Sequence, residues 1–209
     1  MNGLLGKKIG MTQVYDESGK RVAVTVVAVG PCTVTQLKTP EVDGYSAVQV
    51  GYGEVREKCI SKPKLGHLKK AGSDPKRWLK EFAGSADEEV KAGDALTTHI
   101  FEGVSYVDVT STSKGRGFQG VVKRHRMAGG RMTHGGHSKR RPGAIGQCAY
   151  PARVAKGQRM PGHMGACQVT TQNLRVIQLD HEENLLFLGG SVPGPTGGLV
   201  SVRKALTKG

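Results

Sequence analysis

The run from Arg21 to Val29 is β-branched and bounded by Gly19 and by Gly30-Pro31, which predicts a buried strand. Thr33 to Lys38 and Ser46 to Gly51 predict two more strands, separated by turn chemistry at Asp43-Gly44. Pro63 to Ala71 predicts a short helix, with Pro at its first position and Gly72 as its stop. Leu79 to Phe82 is compatible with an extension of that helix or with a strand, and strand is the better reading. Gly93-Asp94 makes a turn into Leu96 to Phe101, and Val104 to Thr110 alternates as a half-buried strand should. Further on, Val169 to Leu179 and Leu185 to Leu188 predict a hairpin around Asp180 to Asn184. The loop Pro193 to Gly198 leads into a last strand, Leu199 to Lys204. Many short strands with Gly turns predict an all-β barrel whose final strands close the sheet begun by the first.

The stretch from about Ser111 to Cys167 breaks this pattern. It holds 12 glycines and one possible short helix, Phe118 to Arg126. Structureless stretches this long are uncommon inside a compact domain and are usually functional. At roughly 3.3 Å per residue an out-and-back excursion of this length reaches at most about 90 Å. The expected organisation is a β-barrel domain, residues 1–110 and 168–209, carrying a long, mostly irregular basic arm, residues 111–167.

Charge sharpens the division. The formal charge is +14, and between Val109 and Leu179 there is no Asp or Glu, while 13 of the 31 Lys and Arg lie there. The rest of the chain carries 18 basic and 17 acidic groups, so +13 of the +14 comes from one third of it. A solvated face normally mixes signs; a segment that excludes acids repels itself unless a polyanion neutralises it. A membrane partner would want an amphipathic helix with a bulky apolar face. The window has only Phe118 and Tyr150 as aromatics, and its glycines break helices. Nucleic acid is the expected partner, with no membrane and no small-molecule substrate. The N-terminal stretch lacks a signal-peptide run and no stretch is apolar enough to cross a bilayer, so the protein is expected to be soluble and cytoplasmic. Cys32, Cys59, Cys148 and Cys167 form no C-x-x-C pair and read as free thiols.

Gly115 to Gly120 matches G-x-G-x-x-G, but a dinucleotide site also needs a βαβ unit and an acid about 20 residues on. The next acid is Asp180, so the glycines are better read as letting backbone approach phosphate beside Lys114 and Arg116. His134, His137, Cys148, His163 and Cys167 have no zinc-finger spacing, and the histidines are read as RNA contacts; no metal and no cofactor is expected. A catalytic thiol would want a base held by a carboxylate, and the segment has none, so no enzyme is expected. An RNA-modifying enzyme with a nucleotide site at Gly115 to Gly120, and a free-standing RNA chaperone, are the competing classes. The strongest phosphate contacts are expected from Lys123-Arg124-His125-Arg126, phased on the possible helix so that Lys123 and Arg126 share a face, and from Lys139-Arg140-Arg141 on extended chain. Arg131, His137 and Arg153 complete the candidates from the acid-free window.

These residues resemble the ribosomal protein L three family of bacterial type. The resemblance lies in Thr112 to Gly120 with Lys123-Arg124, then His134-Gly135, Arg141 to Gln147 and Arg159 to Gly165. Gly3 to Thr12, Asp43-Gly44-Tyr45, Lys62-Pro63 to Gly72 and Val192-Pro193-Gly194 fall in the family's order, so the match runs nearly end to end. It implies a translation-factor-like β-barrel with an extended loop threading rRNA towards the peptidyl-transferase centre. It also implies contacts near the 3′ end of 23S rRNA, an early role in assembly of the large subunit, neighbouring large-subunit proteins, and a place in the cytoplasmic ribosome. Carried over by motif are Lys114, Arg116, Lys123, Arg124, His134, Arg141, Gln147, Lys156, Arg159 and His163. His125 stands where the family commonly has Trp, and Cys148 to Ala152 replaces a run ending Thr-Pro-Gly. A glutamine methylated in some members falls at Ala149.

Overall fold

The computed structural model describes residues 1–16, 18–83 and 90–208. Its elements in chain order begin with β1 (Gly3–Tyr15), β2 (Arg21–Val29), β3 (Cys32–Lys38), a helical turn α1 (Pro40–Asp43) and β4 (Ala47–Glu54). There follow α2 (Lys62–Lys70), β5 (Lys76–Ala83), β6 (Ala95–Leu96), a 3-10 turn at Thr98–Phe101 and β7 (Tyr106–Thr112). The remainder comprises β8 (Phe118–Gln119), α3 (Val121–His125), β9 (Gly162–His163), β10 (Gln168–Asp180), β11 (Leu185–Gly189) and β12 (Leu199–Lys204). Two compact units result: Met1–Thr112 with Gln168–Gly209, and Ser113–Cys167.

In the first unit six antiparallel strands close in the order β1-β12-β7-β10-β11-β2, with β2 pairing back onto β1. A second sheet, ordered β5-β4-β3-β6, shares its core. Leu4, Leu5, Val27, Val29, Val107, Val109, Leu186, Leu188, Val200 and Val202 meet Val34, Val48, Val50 and Phe82 of that sheet in one buried cluster. The all-β expectation holds. β2, β10, β11 and β12 fall where the apolar pattern puts them; β2, β11 and β12 bury side chains of their β-branched or leucine runs, whereas Leu174 is the one buried residue of β10.

β1 is the long strand that the pattern does not announce. Glycines at positions 3, 6 and 10 and the pair Lys7-Lys8 interrupt its apolar run. The structure supplies the reasons. A Cβ on Gly3 would lie 2.5 Å from the Val202 carbonyl oxygen and 2.8 Å from the Phe82 ring, and one on Gly6 would lie 2.5 Å from the Ala28 oxygen. Close approach of β12 and β2 therefore demands glycine there. Lys8 is buried, and its Nζ donates to the Val192 carbonyl at 2.8 Å, which offsets the cost of burying its charge.

Elsewhere the local readings shift. Leu96 to Phe101 splits into β6 and the 3-10 turn, which buries Thr98 and Phe101. In β7 the expected alternation is interrupted at Asp108, which is buried with Val107 and Val109 on either side. Asp108 Oδ1 accepts from the Asn173 N–H at 2.9 Å and Oδ2 from Arg203 Nη2 at 3.4 Å. Asn173 has φ 56° and sits in the register shift between Thr171 and Leu174, so this carboxylate fixes a bulge in β10. All four cysteines are free. Cys32 is buried with its thiol on the Leu5 carbonyl, and burial pushes its pKa up to about 12, leaving it an inert packing group. No helix among the described residues is long and apolar enough to cross a membrane.

The glycine contacts give a paired test. Gly3→Ala is expected to lower stability by roughly 1–3 kcal/mol through overpacking at a closing seam of the barrel. Gly10→Ala, whose Cβ meets nothing within 4 Å, is expected to stay within about 0.5 kcal/mol of the parent in urea unfolding. Equal effects at the two positions would remove close packing as the reason for Gly3.

Candidate nucleic-acid interface

The second unit is held by backbone more than by core. Of the residues from Ser113 to Cys167, Val121 is the one classed as buried. Its two ends run antiparallel. Ser113 N–H donates to the Cys167 carbonyl, Arg116 N–H to Met164, and Met164 N–H to Gly117, each at 2.9 Å. Phe118 then pairs with His163 and Gln119 with Gly162 as β8 and β9. Gly165, at φ +75°, lets the Lys114 carbonyl come closer than any Cβ allows.

The expected helix from Phe118 to Arg126 is replaced by β8 and the five-residue α3. Arg126 caps it in the left-handed conformation at φ 59°, so Lys123 and Arg126 do not share a helical face. No parallel βαβ unit surrounds the Gly115 to Gly120 glycines; β8 pairs antiparallel with β9.

Arg124 differs from the other candidates. It is half-buried, its Nη1 donates to the Met160 carbonyl at 2.8 Å, and its guanidinium covers Gly162, where a Cβ would lie 2.5 Å from Nη1. His125 Nε2 reaches the same carbonyl at 3.0 Å. These two side chains tie α3 to the returning strand.

The remaining candidates are exposed: Lys114, Arg116, Lys123, Arg126, Arg131, His134, His137, Lys139, Arg140, Arg141, Gln147, Arg153, Lys156, Arg159 and His163. Lys123 stands on α3 and Arg126 at its cap, Arg159 precedes β9, and the other twelve fall into three local groups. Lys114, Arg116 and His163 lie along the antiparallel base. Arg131, His134, His137 and Lys139 to Arg141 occupy a loop pinched where Gly130 N–H donates to the Lys139 carbonyl at 2.7 Å, with positive φ at His134 and Gly135. Gln147, Arg153 and Lys156 line a hollow of about 850 Å³ together with Ile145, Pro151 and Val154.

Twelve Lys and Arg and no acid lie within this unit. Among the described residues none of the twelve pairs with a carboxylate. The thirteenth cation of the acid-free window, Arg175, lies on β10 and approaches Asp16 at 3.9 Å, so it belongs to the barrel's own charge balance. Between the cations stand exposed apolar side chains: Phe118 (77%), Met132, Ile145, Tyr150 (88%) and Val154. Apart from the two aromatics, the charge pattern gave no sign of them. A surface of unpaired cations interleaved with flat apolar groups can neutralise phosphates and stack on bases.

Barrel and basic unit together define a charge-segregated all-β protein, with neutral packing in one unit and unpaired cations in the other. The family model for ribosomal protein L3 matches residues 79–185. The chain is 50% identical over 208 residues to large ribosomal subunit protein uL3 of Brachyspira pilosicoli, covering 100% of this chain and 95% of that one. It is 49% identical over 209 residues to the uL3 protein of Alkaliphilus metalliredigens, covering both chains fully. With that of Acidothermus cellulolyticus it shares 53% over 206 residues, 98% of this chain and 93% of the relative. The chain belongs to the ribosomal protein L3 family, in its bacterial form. It is accordingly a structural protein of the large subunit of the cytoplasmic ribosome.

Removing the internal tie tests the role given to Arg124. Arg124→Ala is expected to speed amide exchange at Arg116 and Met164 about tenfold, the counterpart of losing a charge-assisted hydrogen bond of about 1.5 kcal/mol. Exchange in β7 and β10 should stay as it was. Unchanged exchange at Arg116 and Met164 would free Arg124 from that role.

Proposed function

We propose that residues 111–167 form the rRNA-binding arm of the protein, penetrating 23S rRNA near its 3′ end and extending towards the peptidyl-transferase centre. Residues 1–110 and 168–209 anchor it and meet neighbouring large-subunit proteins. The arm helps nucleate assembly of the subunit and carries out no catalysis of its own.

The observation that carries this reading is the set of twelve cations that have no carboxylate partner among the described residues. Each phosphate neutralised releases condensed counterions, so the free energy of binding comes from the salt around the RNA. Arginine adds a planar fork that grips phosphate with two parallel bonds. Lys114, Arg116, Lys123, Arg126, Arg131, Lys139, Arg140, Arg141, Arg153, Lys156 and Arg159 are assigned to phosphate. His134, His137, Gln147 and His163 are assigned to bases and 2′-hydroxyls, where both donors and acceptors are useful. Arg124 positions α3 and contributes its charge through that geometry.

The reading is tested by salt dependence. For binding of the full chain to 23S rRNA, Arg140→Ala combined with Arg141→Ala is expected to weaken binding and flatten the slope of log K against log salt by about 2. An unchanged slope would remove this cluster from the phosphate contacts. Failure of the protein to co-sediment with large subunits in high salt would favour a free-standing chaperone. Saturable binding of S-adenosylmethionine by the full chain would favour an RNA-modifying enzyme.

A further inference from the structure

Outside the basic unit, two turns of the first unit bring together three side chains that the RNA reading does not use. His99 and Glu102 lie three residues apart on the 3-10 turn, where side chains at that spacing eclipse. His181 opens the turn between β10 and β11. One ligand atom from each lies within 4.8 Å of the others. His99 Nδ1 stands 2.6 Å from Glu102 Oε1, and His181 Nε2 stands 3.4 Å from the same oxygen.

Both turns are fixed from below. Thr98 and Phe101, the neighbours of His99 and Glu102, are fully buried. The β10–β11 turn is pinned by Asp180 Oδ1, which accepts from the N–H groups of Glu182 and Glu183 at 3.0 and 3.3 Å. Thr98 Oγ1 meets His181 Nδ1 at 3.1 Å. Either tautomer of His181 satisfies this contact: with the Thr98 hydroxyl donating to Nδ1, Nε2–H points at the Glu102 carboxylate, and with Nδ1–H donating to the hydroxyl, the Nε2 lone pair is available to a cation. A buried partner on the far nitrogen is also the usual device for orienting a metal-bound imidazole.

We propose that His99 Nδ1, His181 Nε2 and a Glu102 carboxylate oxygen form a site for a borderline divalent cation, of which zinc is the type. Two imidazoles and one carboxylate suit such an ion, with water completing a tetrahedron. The two imidazoles stack with centroids 4.4 Å apart and planes 4° apart, and one ion cannot lie in both planes. His181 is held by Thr98, so the His99 ring, 65% exposed, turns about its Cβ–Cγ bond on binding. The ion displaces protons from the imidazoles, so affinity falls as the pH is lowered.

The test is a titration of the full chain with Co²⁺, followed by its visible d–d absorption, with Zn²⁺ as competitor. One equivalent of Co²⁺ is expected to bind and to be displaced by Zn²⁺. His181→Ala and Glu102→Gln should each weaken binding by at least about tenfold. Glu102 is exposed, so melting of Glu102→Gln without metal should match the parent, whereas His181→Ala also loses the contact with Thr98 and is read against its own metal-free melting. Cys148→Ser combined with Cys167→Ser should leave the band intact, since those exposed thiols are the obvious competing ligands. The absence of a saturable band, full affinity in His181→Ala, or loss of the band in the double cysteine variant would each overturn the site.

Discussion

The pairing of β7 with β10 is the constraint on which the two-unit organisation rests. Thr112 faces Gln168 and Ser111 faces Val169 in one antiparallel ladder, so both ends of the 55-residue unit from Ser113 to Cys167 leave the barrel at one point. In topological terms the unit is an enlarged hairpin loop. The entropy of closing a flexible loop grows only with the logarithm of its length. Replacing a four-residue connection such as His181 to Asn184 with 55 residues costs about 2 kcal/mol more. The barrel ladder absorbs that cost, and the bulge held by Asp108 at Asn173 bends β10 within the same pairing. A large insertion is thus compatible with a stable closed barrel.

The distribution of charge follows from the same division. A closed barrel has an apolar interior, and two of the ions admitted below its surface, Lys8 and Asp108, are individually matched. Lys8 gives its ammonium to a carbonyl, and Asp108 is matched by an N–H and a guanidinium. Twelve cations without acids could not be accommodated that way, since breaking even a single buried pair costs several kcal/mol. In water the repulsion is mild: two charges about 7 Å apart cost roughly 0.6 kcal/mol, and physiological salt reduces that further. The cations are therefore borne by exposed chain, where solvent screens them.

How far the sequence discloses this depends on whether a residue's role is local. Strands β2, β11 and β12 were legible because their buried side chains come from β-branched or leucine runs, and the mostly exposed β10 because its apolar residues lead into the turn before β11. β1 was not, because its glycines answer to atoms at Val202 and Ala28, far along the chain. The basic segment was legible as a charge anomaly, down to the individual cations. The internal role of Arg124 was hidden, since its acceptor is a backbone carbonyl 36 residues away that carries no sequence signature. The His99, Glu102 and His181 cluster was equally hidden: 82 positions separate the two histidines, and only barrel topology brings their turns together.

Burial decides what the basic unit can do alone. With Val121 as its one buried side chain, it has almost no apolar area to set against the roughly 1–2 kcal/mol per residue that ordering a backbone costs. Hydrogen bonds at its base, the Arg124 tie and the bonds that pinch the loop from Arg131 to Arg141 order its backbone, but none of them buries apolar area. Exposed Phe118, Tyr150, Ile145 and Val154 are the apolar surface that a folded protein would normally use internally. On the proposed reading that surface is left for the RNA. Stacking bases on these side chains and placing phosphates between the cations would complete, from outside, the core and the charge balance that the unit lacks.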